Sequence, residues 1–265
     1  MRVRQATNQD KSEILDFCKN TFSWGDYIAQ VWQYWLREGH LLVIEEDSHS
    51  IGICHESHDL ENQNMWIEGI RIRPQYRRKG FAKNLISHCE KISKQKNCKT
   101  IQMLIDIENS NSLMLSKAQG YKITETWDFH SFEGNASLDH TVDYSLTLKR
   151  EKTLSSFSYI DSWRRYMLTR KTITNLAKQR RIIFSNSVTD GIAIISESRH
   201  FHKTLLVSIL SGDHTGISNI LSEITSLSQK HGYENLQIMT QLRSLSTHKG
   251  LNKKMSFHLV EKSVN

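Results

Sequence analysis

The sequence predicts an α/β fold on a mixed sheet, followed by a smaller second domain, and three observations predict it. The stretch Met65 to Lys83, MWIEGIRIRPQYRRKGFAK, passes from an apolar-rich run through the chain's one proline and three consecutive cations to a glycine opening an amphipathic segment. That order is a strand, a loop and a helix N-terminus. Apolar alternation and 3.6-residue periods then succeed one another as far as residue 150. The polar segment KREKTLSSFSYI, at about residues 149 to 160, carries no period, and weaker echoes of the first half follow it.

In chain order, Met1 to Thr7 reads as a strand, and Asp10 is placed to cap a helix from Lys11 with Ile14, Leu15, Phe17 and Cys18 inward. Trp24 to Leu36 reads as a second helix, rich in rings at Trp24, Tyr27, Trp32, Tyr34 and Trp35. Rings at helical spacing serve either as core or as one wall of a cleft. His40 to Glu46 and Ser50 to Ser57 form a hairpin around Asp47-Ser48. His55 and His58 stand three apart, and positions three apart in a strand face opposite ways. No metal site is expected there.

Met65 to Ile72 is the next strand, and Gly80 to Gln95 is a helix with Phe81, Leu85, Ile86, Cys89 and Ile92 on its core face. Lys99 to Ile107 is a strand and Asn109 to Ala118 a short helix. Lys122 to Phe132 and Asp143 to Arg150 are expected to pair as a closing hairpin. The expected domains are residues 1–150 and 151–265.

Composition narrows the class. No apolar run approaches a membrane span, and the charged start MRVRQATNQDK lacks a signal-peptide core, so a cytoplasmic protein is expected. Cys18, Cys54, Cys89 and Cys98 form no CxxC pair and read as reduced, mostly buried thiols. The net charge of +7 is unevenly held: residues 1–150 have 19 Lys+Arg against 20 Asp+Glu, and residues 151–265 have 16 against 8. A basic segment from Asp161 to Arg181, read as a helix, is the one candidate surface for nucleic acid, but no nucleic-acid motif accompanies it and none is expected to bind.

The junction at Gly80 has a specific physics. The first turn of a helix offers backbone N–H groups with no intrahelical partner at the positive end of the dipole. A glycine without Cβ, and the small Ala82, let an oxyanion approach, while Arg77, Arg78 and Lys79 add charge. Such a loop is either an anion site or a solvated turn. The run Ile72-Arg73-Pro74-Gln75-Tyr76-Arg77-Arg78-Lys79-Gly80-Phe81-Ala82 resembles motif A of the GNAT family of N-acetyltransferases, where Pro-x-Tyr-Arg leads into a loop closing over the pyrophosphate of acetyl-CoA. The resemblance continues through Asn109 to Gly120-Tyr121 and covers roughly residues 1 to 150.

The resemblance implies a GNAT acyl-CoA N-acyltransferase fold and transfer of acetyl from acetyl-CoA, as co-substrate and without metal, to a primary amine of a small molecule or peptide. The loop amides and cations from Arg77 through Arg78, Lys79, Gly80, Phe81 and Ala82 to Lys83 would hold the cofactor. Ile70, Arg71 and Ile72 would pair with its pantetheine arm, Ile70 N–H meeting the thioester carbonyl, and Asn109 would contact that arm. Glu68 matches the strand glutamate that binds or deprotonates the amine; alternatively it pairs with Arg71 or another arginine. Ser116 stands where the family often has an acid tyrosine, so Ser116 through water, Tyr76, Tyr121 or no enzyme acid would complete the step. Leu104 replaces a glutamate found in some protein N-terminal acetyltransferases. A catalytically silent acyl-CoA sensor is the alternative.

Asp213-His214-Thr215-Gly216-Ile217 echoes Arg77 to Phe81, and Asn235 to Met239 echoes Thr100 to Leu104; Leu245-Ser246-Thr247-His248-Lys249-Gly250 echoes Leu115 to Gly120. Gly80 to Ile101 is 21 residues and Gly216 to Leu236 is 20. A degenerate, truncated second copy follows, similar to other two-copy acetyltransferases, with Asp213 repelling phosphate where Arg77 would attract it. An unrelated α/β domain is the other reading. No membrane partner is expected, and monomer and homodimer are both open.

Overall fold

A computed structural model of the chain describes residues 1–22, 25–133, 140–186, 190–243, 245 and 248–264. Trp24, Ser246 and Thr247, which carried sequence expectations, lie outside the described residues. The chain divides into two compact units, Met1–Thr124 with Leu259–Asn265, and Glu125–His258.

The first unit is a sheet between two apolar layers. Strand β1 (Arg2–Gln5) pairs antiparallel with β2 (Leu41–Glu46), β2 with β3 (His49–Asp59), and β3 with β4 (Asn64–Ile72). Strand β4 pairs in parallel with β5 (Thr100–Asp106). Asp47 and Ser48, both at positive φ, make the tight turn between β2 and β3, the geometry that matches the twist of the flanking strands.

The two faces of the sheet divide the core, with a bulge in the β2–β3 pairing putting Ile51 and Ile53 on opposite sides. Leu41, Val43 and Ile53 face α1 (Lys11–Cys18) and α2 (Ile28–Glu38), meeting Ile14, Val31, Trp32 and Trp35. Leu42, Ile44, Ile51, Met65 and Ile67 face α3 (Phe81–Gln95), meeting Phe81, Leu85, Ile86 and Cys89. All four cysteines are free and buried. Asp10 does not cap α1 with its side chain: its carboxylate turns back to accept from Arg4, Thr7 and Ser50, tying β1 to β3.

The unit then runs through α4 (Ser110–Ala118) and closes on the last residues of β14 (Leu251–Ser263). There Val264 N–H donates to Lys99 C=O at 2.8 Å, and Lys262 Nζ lies 2.7 Å from Glu90.

The second unit repeats the plan. Strands β10 (Ile182–Ser185), β11 (Gly191–Glu197) and β12 (Thr204–Ser211) are antiparallel neighbours, α7 (His214–His231) follows, and β13 (Asn235–Thr240) returns parallel to β12. That is the order of β2, β3, β4, α3 and β5.

Two further expectations are corrected. Asp143 to Arg150 does not pair with the strand β6 (Lys122–Phe132). Only Val142–Asp143 (β7) is extended, and it pairs with β10. The Asp143 carboxylate accepts from Ser145 N–H to form a turn, and the Thr147 hydroxyl accepts from Arg150 N–H to cap helix α5 (Leu148–Leu154).

The basic helix Asp161 to Arg181 does not form either. Tyr159 opposes Tyr166 in a hairpin of β8 (Ser158–Asp161) and β9 (Arg164–Met167), turned by Ser162 and Trp163 at positive φ, and only α6 (Arg170–Lys178) is helical. Its cations disperse into pairs, Arg165 with Glu125 and Arg181 with Asp161.

The position that shapes the site is Gly69. Ile53 opposes Arg71 and His55 opposes Glu68, so β4 spends three residues where β3 spends two, a bulge with Gly69 at φ +66 inside it. A Cβ on Gly69 would lie 2.5 Å and 2.7 Å from ring atoms of the fully buried Trp35. Gly69→Ala is therefore expected to destabilise the chain by about 2–4 kcal/mol, from left-handed strain plus overpacking. Chemical denaturation measures it, and a midpoint unchanged from the parent would contradict the packing described.

Candidate active site

The ladder between β4 and β5 ends short of the bulge. Their ladder registers only Asn64–Trp66 against Thr100–Gln102, although β4 continues to Ile72 and β5 to Asp106. Nothing of β5 is registered against Ile70, Arg71 or Ile72. The backbone of these three residues therefore lines a gap that opens toward the loop after β4.

That loop begins with a 3-10 turn at Pro74–Tyr76, and Arg77 follows in extended conformation. Arg78 at φ +61 and Gly80 at φ +87 then bend the chain into α3, with Gly80 as its N-cap. A Cβ on Gly80 would meet no atom within 4 Å, so the space beside the helix N-terminus is open. Asn84 N–H donates to Gly80 C=O at 3.0 Å, leaving the N–H groups of Phe81, Ala82 and Lys83 in the first turn, where a helix supplies no acceptor.

Arg78, Lys79 and Lys83 are exposed around this end. The donor set and the open space suit a pyrophosphate. Arg77 is partly engaged, its Nε donating to Ile72 C=O at 3.0 Å, and Lys79 lies over the Tyr76 ring at 5.3 Å.

Glu68 sits on the other side of the bulge. It pairs with a histidine: Oε1 lies 2.9 Å from His55 Nδ1, and the other ring nitrogen of His55 lies 3.1 Å from Glu38 Oε2. His55 is fully buried and stacked on Trp35 at 4.6 Å with planes 3° apart. The Glu68 side chain keeps 10% of its exposure, and that of Glu38 keeps 24%. His55 was set aside in the sequence, but the antiparallel register with β4 brings it opposite Glu68.

Arg71 belongs to a different pair. Its Nε donates to Asp26 at 2.7 Å, and the guanidinium lies over Phe22 and Tyr27 at 5.0 and 5.3 Å. Burial works against the charge, but Tyr27 and Asp26 hold the guanidinium above its ordinary value. Trp32 and Trp35 are core; of the expected aromatic wall, Tyr27 and Tyr34 remain partly exposed.

The residues beyond β5 are placed less favourably for chemistry. Asn109 Oδ1 accepts from Ser112 N–H at 3.1 Å and caps α4. Ser116 is buried, its hydroxyl donating to Leu113 C=O at 2.9 Å. Tyr121 is buried, and burial together with the Glu90 charge pushes its phenol up. In the second unit, the end of α7 that corresponds to Gly80 is occupied by the chain itself: Asp213 Oδ1 accepts from Gly216 N–H at 2.8 Å.

Residues 9–121 match the acetyltransferase (GNAT) family. Over 93 residues the chain is 30% identical to a histidine N-acetyltransferase of Oreochromis niloticus, a match covering 34% of this chain and 28% of that protein. Among solved structures, a putative acetyltransferase from Thermoplasma acidophilum superposes with TM-score 0.66 at 13% identity, covering 99% of this chain and 100% of that one. A GCN5-related N-acetyltransferase from Sphaerobacter thermophilus gives 0.66 at 13%, covering 100% and 96%. These two structures share the fold across both halves.

The buried Arg71–Asp26 pair closes the wall beside the bulge. Asp26→Asn would leave the cation uncompensated, and a loss of about 3–5 kcal/mol is expected. Thermal and denaturant unfolding read it, and stability equal to the parent would show that the two rings suffice to hold Arg71.

Proposed function

With residues 9–121 a GNAT-family domain, we propose that the chain transfers the acetyl group of acetyl-CoA to a primary amine. The observation that carries this reading is the splayed pair β4 and β5, with Glu68 at one end of the gap and the open helix N-terminus at Gly80 at the other. Acetyl-CoA supplies an activated thioester. The chain's own groups bind it, orient it and handle one proton.

The amides of Gly80, Phe81, Ala82 and Lys83 take the pyrophosphate, with Arg77, Arg78 and Lys79 contributing charge. Ile70 to Ile72 accept the pantetheine arm as an added strand, which needs only backbone groups, and Ile70 N–H faces the thioester oxygen where negative charge develops. Asn109 borders the arm.

The amine nitrogen forms a bond to the thioester carbon, the carbon–sulfur bond breaks, and CoA leaves as thiolate. Glu68 receives the amine proton, with His55 fixing the carboxylate from behind. Ser116 is assigned no more than a supporting part, since its hydroxyl is already donated to the helix backbone.

A small amine with a free amino group is the favoured acceptor class. The histidine N-acetyltransferase resemblance makes free histidine the first substrate to try. The proposal places cofactor and acceptor chemistry in residues 1–150. Residues 151–265 act as a non-binding partner, because Asp213 fills the helix end where a second pyrophosphate would sit. The thiol-release assay with acetyl-CoA against histidine, other amino acids, polyamines, aminoglycosides and peptide N-termini tests the reading; no amine-dependent release from any of them would reject it.

Two substitutions separate binding from chemistry. Gly80→Val adds a branched side chain into the open space and forces φ +87 on a β-branched residue. Calorimetry is expected to show no measurable acetyl-CoA binding, and parental affinity in a folded variant would remove the loop from the site. Glu68→Gln is expected to lower turnover by about 10²-fold or more, with cofactor affinity nearly intact, whereas Ser116→Ala should fall well short of that loss. A Glu68→Gln enzyme with the parental rate across the pH range would reduce Glu68 to a structural partner of His55.

A further inference from the structure

The face of β3 opposite His55 holds a second cluster that the acetyl-transfer reading does not use. Alternation puts Glu56 and His58 on that face, and Glu56 N–H donates to the C=O of His40, the residue before β2, at 3.1 Å. Oε1 of Glu56 lies 3.1 Å from His40 Nδ1, and Oε2 lies 2.5 Å from His58 Nε2. The ligand atoms of the three residues all lie within 4.8 Å of one another. Glu56 is 2% exposed, and the side chains of His58 and His40 are 7% and 36% exposed.

These atoms are not satisfied as a hydrogen-bonded set. Glu56 Oε2 and His58 Nε2 are both buried with no hydrogen-bond partner, although they face each other. Their contact is shorter than an ordinary N–H···O bond and lacks its alignment. Buried polar atoms left in this state suit a third group that both can bind.

We propose that His40, Glu56 and His58 are the three protein ligands of a site for a divalent transition-metal ion of the zinc type. Two imidazoles and one carboxylate are a borderline donor set that suits zinc better than magnesium or calcium, which favour all-oxygen shells. Tetrahedral bonds of about 2.1 Å put ligand atoms about 3.4 Å apart, so Glu56 Oε2 and His58 Nε2 must open by about 0.9 Å and the widest separation must close by up to about 1.4 Å. Rotation of the partly exposed His40 provides the closure. The same exposure leaves a fourth position for water.

The site pins the start of β2 to β3 on the α3 side of the sheet. It stands apart from Glu68 because successive residues of β3 point to opposite faces. The spacing that reveals it in the sequence is Glu56-x-His58, two residues on one strand face, with His40 across the hairpin.

The test uses the full chain, stripped with a chelator and titrated with Zn²⁺ and Co²⁺. Calorimetry is expected to give one tight site. Bound Co²⁺ should show the visible bands of tetrahedral coordination without a thiolate charge-transfer band, since no cysteine is among the ligands. Removing a buried ligand risks the fold, so the informative variant is His40→Gln, with circular dichroism confirming that it is folded. Its Zn²⁺ affinity should fall about tenfold or more, as expected for a lost metal contact, and its zinc-dependent rise in unfolding temperature should vanish. His49→Gln, on the same hairpin but exposed and paired with Glu13, should bind as the parent does. The absence of a stoichiometric site, or unchanged affinity in His40→Gln, would overturn the proposal.

Discussion

The arrangement of the first unit depends on one backbone feature, the bulge that Gly69 makes in β4. One extra residue in β4 changes how the strand meets β3. On the β3 side it sets Glu68 opposite His55. On the other side, pairing with β5 ends at Trp66 and Gln102, and the backbone of Ile70 to Ile72 is left beside a gap. Trp35 enforces the choice of residue, because its ring occupies the space a Cβ at position 69 would need. The same ring stacks on His55, so packing of the bulge and orientation of the carboxylate partner are one contact seen from two sides.

Much of this was legible in the sequence. The strand–loop–helix order around Gly80 followed from the period change, the proline and the cations, and the structure places each element there. The hairpin of β2 and β3 around Asp47-Ser48 also stands where the alternation and the polar break put it. What was not legible depends on contacts between distant segments. Gly69 reads as an ordinary residue in an apolar run, and its left-handed φ becomes apparent only once β3 and Trp35 are in place. His55 and Glu56 are sequence neighbours with unrelated surroundings, one meeting Glu68 and Glu38 and the other His40 and His58. Arg71 offered itself as a partner for Glu68, and it turned to Asp26 before α2 instead.

The closing strand shows the same limit on a longer scale. Residues 143 to 150 had the composition of a strand by alternation, yet local side chains decided otherwise: Asp143 and Thr147 each accept from a nearby backbone N–H and convert the segment to a turn and a helix start. The first unit takes its last strand residues from the end of the chain. Val264 and Glu261, more than 150 residues from Lys99 and Gln102 in sequence, are hydrogen-bonded to them. In the basic stretch from Asp161 to Arg181, charge count suggested a surface helix, while the hairpin and its ion pairs consume several of the cations.

The two halves share a strand–helix–strand plan but differ at the point where an anion would bind. In the first, α3 begins at a glycine with open space beside it. In the second, α7 begins with Asp213, whose carboxylate already accepts from the first turn and whose charge opposes phosphate. The central claim is that one of two similar folds has kept the cofactor seat. Calorimetric titration of the intact chain with acetyl-CoA tests it directly. The account predicts one molecule bound per chain; two molecules bound, or none, would contradict it.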